Sequence, residues 1–169
     1  QETASAGADG EIRAWIAGKG HVQYSFRHFP FNLSCNPTLQ PTSPSHPQAC
    51  RKAQTAESAG QLGGVEGYWK MHAWLMSHQE DFSDDLLRQA ASGLGFDAVG
   101  LFAAMDNAET AAAIQEDITA GRNLLYRSGI PTVYINGKVV PRCRLEGQQV
   151  LARILDEAYG ENKGAGSSP

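Results

Sequence analysis

The spacing of hydrophobic residues changes several times along the chain, and each change marks a predicted element. Apolar residues recur at i, i+3 and i+4 within residues 11–18, which predicts a short helix there. Over His21–Phe29 apolar and polar residues alternate, which predicts a strand with one face toward a core. Pro30 ends this strand, because proline cannot donate to a ladder of strand hydrogen bonds.

A proline-rich segment and a long helical block follow. Residues 31–47 are mostly Asn, Ser, Thr and Pro, which predicts a stiff surface loop bracketed by Cys35 and Cys50. Loops of this length are more often functional or stapled than short ones. Helical spacing then continues almost to residue 127. The predicted helices are Ala49–Ala59, Val65–Gln79 beyond a run of glycines, and three more that begin after the N-caps Ser83, Asp97 and Asn107.

The last third of the chain returns to a spacing of two. Two β-rich runs, Thr132–Ile135 and Lys138–Val140, flank Asn136-Gly137, and this is among the strongest short-range signals for a β-hairpin. An amphipathic helix over Leu145–Tyr159 follows. The order of helix, strand, helical block, hairpin and helix predicts an α/β layer fold with a small mixed sheet.

Composition and charge narrow the classes of function. The 169 residues carry a formal net charge of −4, which favours neither nucleic acid nor an anionic membrane as a partner. No apolar run approaches the ~20 residues of a membrane span, so direct membrane insertion is not expected. Residues 1–160 are predicted to form one domain, and residues 161–169 a flexible tail. The chain starts at Gln1 with no leader segment, so we expect a piece of a larger protein.

Three segments resemble the DsbA-like thioredoxin-fold family. They are FRHFPFN, the block HPQACRKAQTAESAGQLGG with the following GYWKMHAWLM, and GIPTVYINGKVV. The pattern NLSCNP followed by HPQAC is similar to a branch associated with vitamin K epoxide reductase-type membrane proteins. The resemblance covers about residues 11–159. It implies an α/β thioredoxin-like fold with a mixed sheet and a helical insertion at about residues 45–127.

The sequence departs from the family at its redox motif. Family members carry a first strand, a C-x-x-C and a helix before the FRHFP segment, whereas this sequence contains no C-x-x-C. Either the chain is cut just after the motif, with the first strand also missing, or the motif is absent from the protein. No catalytic cysteine pair can therefore be assigned here.

The resemblance implies thiol–disulfide exchange on extracytoplasmic proteins, without a cofactor. The implied partners are disulfide-bearing protein substrates or a membrane redox partner, in the periplasm or another exported location. The alternative is a non-catalytic thioredoxin-fold module that binds peptides or partners. A weaker alternative is a relative of the kappa-type glutathione transferases, for which Ser5 is the one candidate serine. Without a C-x-x-C, the chain is expected to be redox-inactive unless Cys143 substitutes.

The resemblance also assigns a substrate-binding loop. It corresponds to Ile130, Pro131 and Thr132, with Pro131 following a cis peptide bond. In the family this loop faces the redox cysteine, where an extended substrate segment can pair with its backbone. The alternative is an ordinary trans proline that starts a strand.

The three cysteines have several interpretations. Cys35 and Cys50 form a structural disulfide that closes the proline-rich loop, a second redox pair, or two free thiols. Such a staple would contribute about 3 kcal/mol and would fit an oxidising compartment. Cys143 lies between Arg142 and Arg144, and neighbouring cations make it a candidate reactive thiol if it is exposed. Otherwise it packs under the last helix.

The remaining polar residues predict no metal site and no acid–base pair. His46 and His72 lack the spacing of metal ligands, and His72 is expected to be a half-buried core residue. Arg27 and His28 are given a structural role. The aromatic residues and methionines between Tyr68 and Met76 are expected in the core rather than in a substrate groove. The carboxylates predicted in caps and exposed turns are Asp81, Asp84, Asp85, Glu116 and Asp117.

Overall fold

A computed structural model of the protein describes residues 2–41, 46–124, 129–141, 144–145 and 148–165. The chain forms two units. The terminal unit comprises Gln1–Ser25 and Leu125–Pro169, and the central unit comprises Phe26–Leu124. The prediction of one domain over residues 1–160 stays a prediction.

The elements of the described residues are mostly helical. The helices are α1 (Glu2–Ile16), α2 (Ala49–Ser77), α3 (Asp84–Ala91), α4 (Ala98–Met105), α5 (Ala108–Leu124) and α6 (Leu151–Ala165). The strands are β1 (Val133–Ile135), β2 (Lys138–Val140), β3 (Arg144–Leu145) and β4 (Gln148–Gln149), which form two antiparallel pairs, β1–β2 and β3–β4.

The predicted hairpin is present in the terminal unit. Val133 pairs with Val140 across β1 and β2, and the turn residues Asn136 and Gly137 have φ values of 51° and 76°. Two central residues with positive φ are what a tight hairpin turn requires, which explains the Asn-Gly pair. One face of the hairpin packs on α1 and α6. The buried core of this unit consists of Ala8, Ile12, Val140, Leu151 and Leu155.

The helices of the central unit pack around α2. A break at Gly64, with φ 61° and ψ −156°, divides α2 where the run of glycines predicts a separation. The predicted caps are confirmed, since the side chains of Ser83, Asp97 and Asn107 accept hydrogen bonds from backbone N–H groups three residues on. The main core includes Met71, Leu75, Phe82, Leu87, Phe96, Leu101 and Met105.

The predicted strand over His21–Phe29 is wrong for the described residues, in which this segment has no regular secondary structure. Its side chains still alternate, because Val22 and Tyr24 are half-buried while Gln23 and Ser25 are exposed. A strand also needs a neighbour to supply ladder hydrogen bonds. The segment instead crosses the boundary between the two units after Ser25. The pattern therefore predicted the buried face but not the pairing.

Two helices differ from their predicted limits. The first begins at Glu2 rather than near residue 11, so the small residues of the N-terminal segment are helical. The last begins only at Leu151, because β3 and β4 occupy part of the range predicted as helix, and it ends at Ala165 rather than at Tyr159. Across the described ranges, no helix is both long and apolar enough to span a membrane.

Candidate functional site

The predicted substrate loop lies in the terminal unit directly before β1. Ile130, Pro131 and Thr132 are each half-buried, so part of each residue remains accessible. The Ile130–Pro131 peptide bond is cis. Gly129 has φ 66°, a conformation that favours glycine, and its carbonyl oxygen accepts a hydrogen bond from the Thr132 hydroxyl. This bond joins the two ends of the loop and holds Ile130 and Pro131 between them.

A disulfide joins Cys35 to Cys50 in the central unit, with an S–S distance of 2.06 Å. The structure therefore excludes one of the three interpretations, in which Cys35 and Cys50 are two free thiols. The bond closes the proline-rich loop onto the start of α2. Cys35 is also fixed to α5, because its carbonyl oxygen accepts a hydrogen bond of 2.6 Å from Gln115 Nε2.

Two predicted features receive little or no structural test. Cys143, the candidate reactive thiol, lies outside the described residues, and so does Arg142. The side chain of Ser5 is not described either, although its backbone belongs to α1. Their proposed roles remain predictions.

A buried carboxylate of α5 anchors the segment after the unit boundary. Asp117 was expected in an exposed position, but it lies within α5 and is 6% exposed. Its Oδ2 accepts the backbone N–H of His28 at 2.8 Å, and its Oδ1 accepts Arg27 Nη1 at 2.7 Å. The hydrogen bond from Arg27 and the charge of Asp117 raise the pKa of Arg27, which therefore stays charged. The two bonded groups lie about 90 positions away in sequence, so no local pattern indicates them.

The ring of His28 lies in a second polar contact of the same segment. Its Nε2 is 3.2 Å from both the Tyr68 hydroxyl and Glu57 Oε1. An Nε2 atom without a hydrogen accepts from the tyrosine hydroxyl, whereas an Nε2 atom that carries one donates to the glutamate. His28 is thus a buried, bonded residue, which agrees with the structural role assigned from the sequence.

The aromatic residues of α2 enclose a second histidine. His72 is 1% exposed, more deeply buried than the half-buried position predicted, and it contacts the rings of Phe26, Tyr68 and Trp69. Met71 is fully buried in the main core, and Tyr68 packs against that core. These side chains therefore contribute to packing, as predicted.

The terminal unit contains its own buried carboxylate, Asp9, which is 3% exposed. Tyr24 donates to its Oδ1 at 2.9 Å, and Arg13 Nε donates to its Oδ2 at 2.9 Å. Burial, together with the charge of Asp9 and this hydrogen bond, raises the pKa of Tyr24 well above its ordinary value. No three His, Cys, Asp or Glu side chains in the described part of either unit converge to hold a metal ion.

The elements of the terminal unit and the position of the central unit in the sequence define a class of protein. A small α/β unit with a proline loop before its hairpin, interrupted in sequence by a helical insertion, is typical of thioredoxin-like proteins. A family model described as a DSBA-like thioredoxin domain matches residues 13–157. The chain belongs to this family, which is of the thiol–disulfide oxidoreductase type, and the resemblance seen in the sequence is confirmed.

One protein that is similar to this chain is much longer than the chain itself. The chain is 28% identical over 131 residues to a protein named Na(+)/H(+) antiporter NhaA 3 from Salinispora tropica. The match covers 78% of this chain and 18% of that protein. The chain thus spans under a fifth of the relative's length. No solved structure matches the chain.

Proposed function

We propose that this chain is a thiol–disulfide exchange domain that acts on disulfide-bearing proteins outside the cytoplasm. It would contact its substrate through the loop Ile130–Thr132. Membership in the DSBA-like family over residues 13–157 carries the proposal, because the matched range includes this loop. The sequence has no C-x-x-C, so the attacking thiolate of such a motif is not supplied by these residues.

The conformation of the loop supports a contact with an extended peptide. Its residues are half-buried and directly precede β1, and Thr132 fixes the loop to Gly129. Extended peptides bind folded domains mainly through backbone hydrogen bonds, while pockets for alternate side chains give specificity. A short, fixed backbone segment with accessible edges suits this mode of binding.

One observation supports an extracytoplasmic location, and another supports a membrane partner. The Cys35–Cys50 disulfide belongs to a type of bond that persists in oxidising compartments and is rare in the cytosol. The relative from Salinispora tropica has the name of an antiporter, and so we propose a membrane redox partner or membrane tether. Protease treatment of spheroplasts that express the natural gene product tests the location. Digestion of the domain supports it, and protection until lysis contradicts it.

Binding of a cysteine-containing peptide tests the loop. Thr132→Arg is expected to weaken the binding of a labelled, reduced peptide by about tenfold, or roughly 1.4 kcal/mol, because the new side chain covers the loop. Thr119→Arg is the matched control, since Thr119 is exposed on α5 and bonds only within its helix. Equal affinities of the two variants, with both folded by circular dichroism, would overturn the peptide contact.

The alternative function is a binding module without exchange chemistry. The lack of a C-x-x-C favours it, and without that motif the chain is expected to be inactive in insulin reduction by dithiothreitol under either function. We expect no catalytic turnover of insulin by this chain. Turnover that disappears in Cys143→Ser would instead assign catalysis to that thiol.

A further inference from the structure

The Cys35–Cys50 disulfide lies at the start of a long helix. Cys50 is the second residue of α2, and the first backbone hydrogen bond into the helix runs from Lys52 N–H to the Gln48 carbonyl oxygen. The amide of Cys50 thus precedes the regular hydrogen-bond ladder. Gln48 provides no side-chain cap, and the first turn contains no acidic residue. The amides and the helix dipole at this end can therefore stabilise a negative sulfur.

A hydroxyl group adds to this asymmetry between the two sulfurs. Ser34 Oγ lies 3.2 Å from Cys50 Sγ, and because a disulfide sulfur has no proton, the hydroxyl is the donor. The Asn32 carbonyl oxygen lies 3.8 Å from Cys50 Sγ and 3.9 Å from Cys35 Sγ, so it affects the two sulfurs alike. Cys35 belongs to a turn rather than to a helix.

The side chains of the neighbouring cations are bonded to other groups rather than to the disulfide. Arg51 is paired with Asp84 at 3.0 Å and with Asp106 at 2.6 Å, so its charge is balanced. Lys52 Nζ donates to the Gln79 carbonyl oxygen at 2.6 Å. The helix start and the Ser34 hydroxyl are therefore the groups that distinguish Cys50 from Cys35.

We propose that Cys35 and Cys50 form a reversible redox couple that exchanges with a dithiol, with Cys50 as the leaving thiolate. The thiolate of the dithiol attacks Cys35 Sγ, the Cys35–Cys50 bond breaks, and Cys50 leaves with the electron pair. The second thiolate of the dithiol then attacks its own partner sulfur in the mixed disulfide and releases Cys35 as a thiolate. The protein gains two electrons and the dithiol becomes a cyclic disulfide.

The exposure of the pair permits this reaction. Cys35 and Cys50 are both half-buried, and Leu33 and Ser34 beside them are exposed, so a small thiol can approach without unfolding of the chain. The couple is independent of peptide binding at the substrate loop. It also differs from catalytic turnover of insulin, because it requires only one exchange with a small dithiol.

Alkylation of the reduced protein tests the asymmetry. The full chain with Cys143→Ser is reduced with dithiothreitol, desalted and treated with iodoacetamide at pH 7, and each site is followed by peptide mass spectrometry. We expect Cys50 to react about tenfold faster than Cys35, because a helix start lowers the pKa of a thiol by at least about one unit. Gln48→Asp should reduce this ratio, since a capping carboxylate competes for the amides and repels the thiolate. Equal rates at the two sites would overturn the proposal.

Reduction of the native disulfide provides a second test. The rate with dithiothreitol is measured in increasing, non-denaturing urea, in the same Cys143→Ser background. Attack on the folded protein gives a rate that depends little on urea, and Ser34→Ala is expected to slow it about threefold, because hydrogen bonds to charged groups are stronger than those to neutral ones. Ser92→Ala, an exposed serine after α3, is the matched control. A rate that follows the urea dependence of global unfolding would identify a purely structural disulfide and overturn the proposal.

Discussion

Removal of the Asp117 carboxylate is expected to destabilise the central unit by about 3 kcal/mol. Asp117→Ala leaves the backbone N–H of His28 buried without its acceptor, which costs about 1–3 kcal/mol. It also removes the ion pair with Arg27. Because the Arg27 side chain is 60% exposed, solvent screens this pair and it contributes at most about 1 kcal/mol.

Two further variants separate these contributions. Asp117→Asn keeps an oxygen for the His28 N–H but loses the charge, and it is expected to cost about 1 kcal/mol. Arg27→Ala removes only the screened ion pair and should cost less than about 1 kcal/mol. Glu116→Ala is the matched control, because Glu116 is the exposed neighbour of Asp117 in α5, and a change of no more than about 0.5 kcal/mol is expected.

Urea unfolding followed by circular dichroism measures these differences. Asp117→Ala is expected to be the least stable of the four variants by at least about 1 kcal/mol. If it matches Arg27→Ala, the ion pair carries the effect and the His28 amide finds another acceptor. If it matches Glu116→Ala, the buried carboxylate contributes nothing measurable and the account is refuted.

Two further predictions concern pH and helix glycines. Tyr24→Phe is expected to lower the free energy of unfolding by about 1–2 kcal/mol near neutral pH. The difference between the variant and the unmodified protein should shrink as the pH rises above 10.0, the ordinary pKa of tyrosine. Urea unfolding at pH 8–11.5 measures it. The reason is that Tyr24 has a raised pKa in the folded protein, so its contribution is complete below the unfolded pKa and is lost above it; a constant difference would contradict this. Gly67→Ala should destabilise by about 2 kcal/mol, because its Cβ would lie 2.5 Å from the Ala59 carbonyl oxygen. Gly160→Ala, in α6 with no atom within 4 Å of its Cβ, should stabilise the protein by about 0.5–1 kcal/mol. Thermal melts should show a lower melting temperature for Gly67→Ala and a higher one for Gly160→Ala, and shifts in the same direction would contradict both predictions.

Features that depend on neighbouring residues could be predicted from the sequence. The Asn136-Gly137 turn, the side-chain caps and the break at Gly64 each follow from backbone preferences of one or two residues. Recognition of the family also succeeded, because it rests on short segments in a fixed order. At these positions the backbone preference of the residue and the conformation that the fold requires are the same.

Features that depend on distant residues could not be predicted. The sequence gives Asp117 no mark that separates it from Glu116, and only the packing of α5 on the segment after Phe26 buries one of them. The alternation over His21–Phe29 is the same whether or not a neighbouring strand exists, so the pattern cannot decide pairing. Helix periodicity likewise continued through β3 and β4, where short strands leave too few residues for a clear signal.

In this chain the sulfur chemistry and the peptide contact depend on different observations. Of the cysteines that the structure describes, Cys50 lies in the first turn of a helix, where a thiolate is stabilised without any C-x-x-C. The proposed substrate loop lies within the range of the family match and belongs to the other unit. An exchange domain needs both a thiolate and a peptide contact, whereas a binding module needs only the second. Alkylation of Cys50 and peptide binding by Thr132 variants therefore test the redox couple and the peptide contact independently, and the failure of one leaves the other standing.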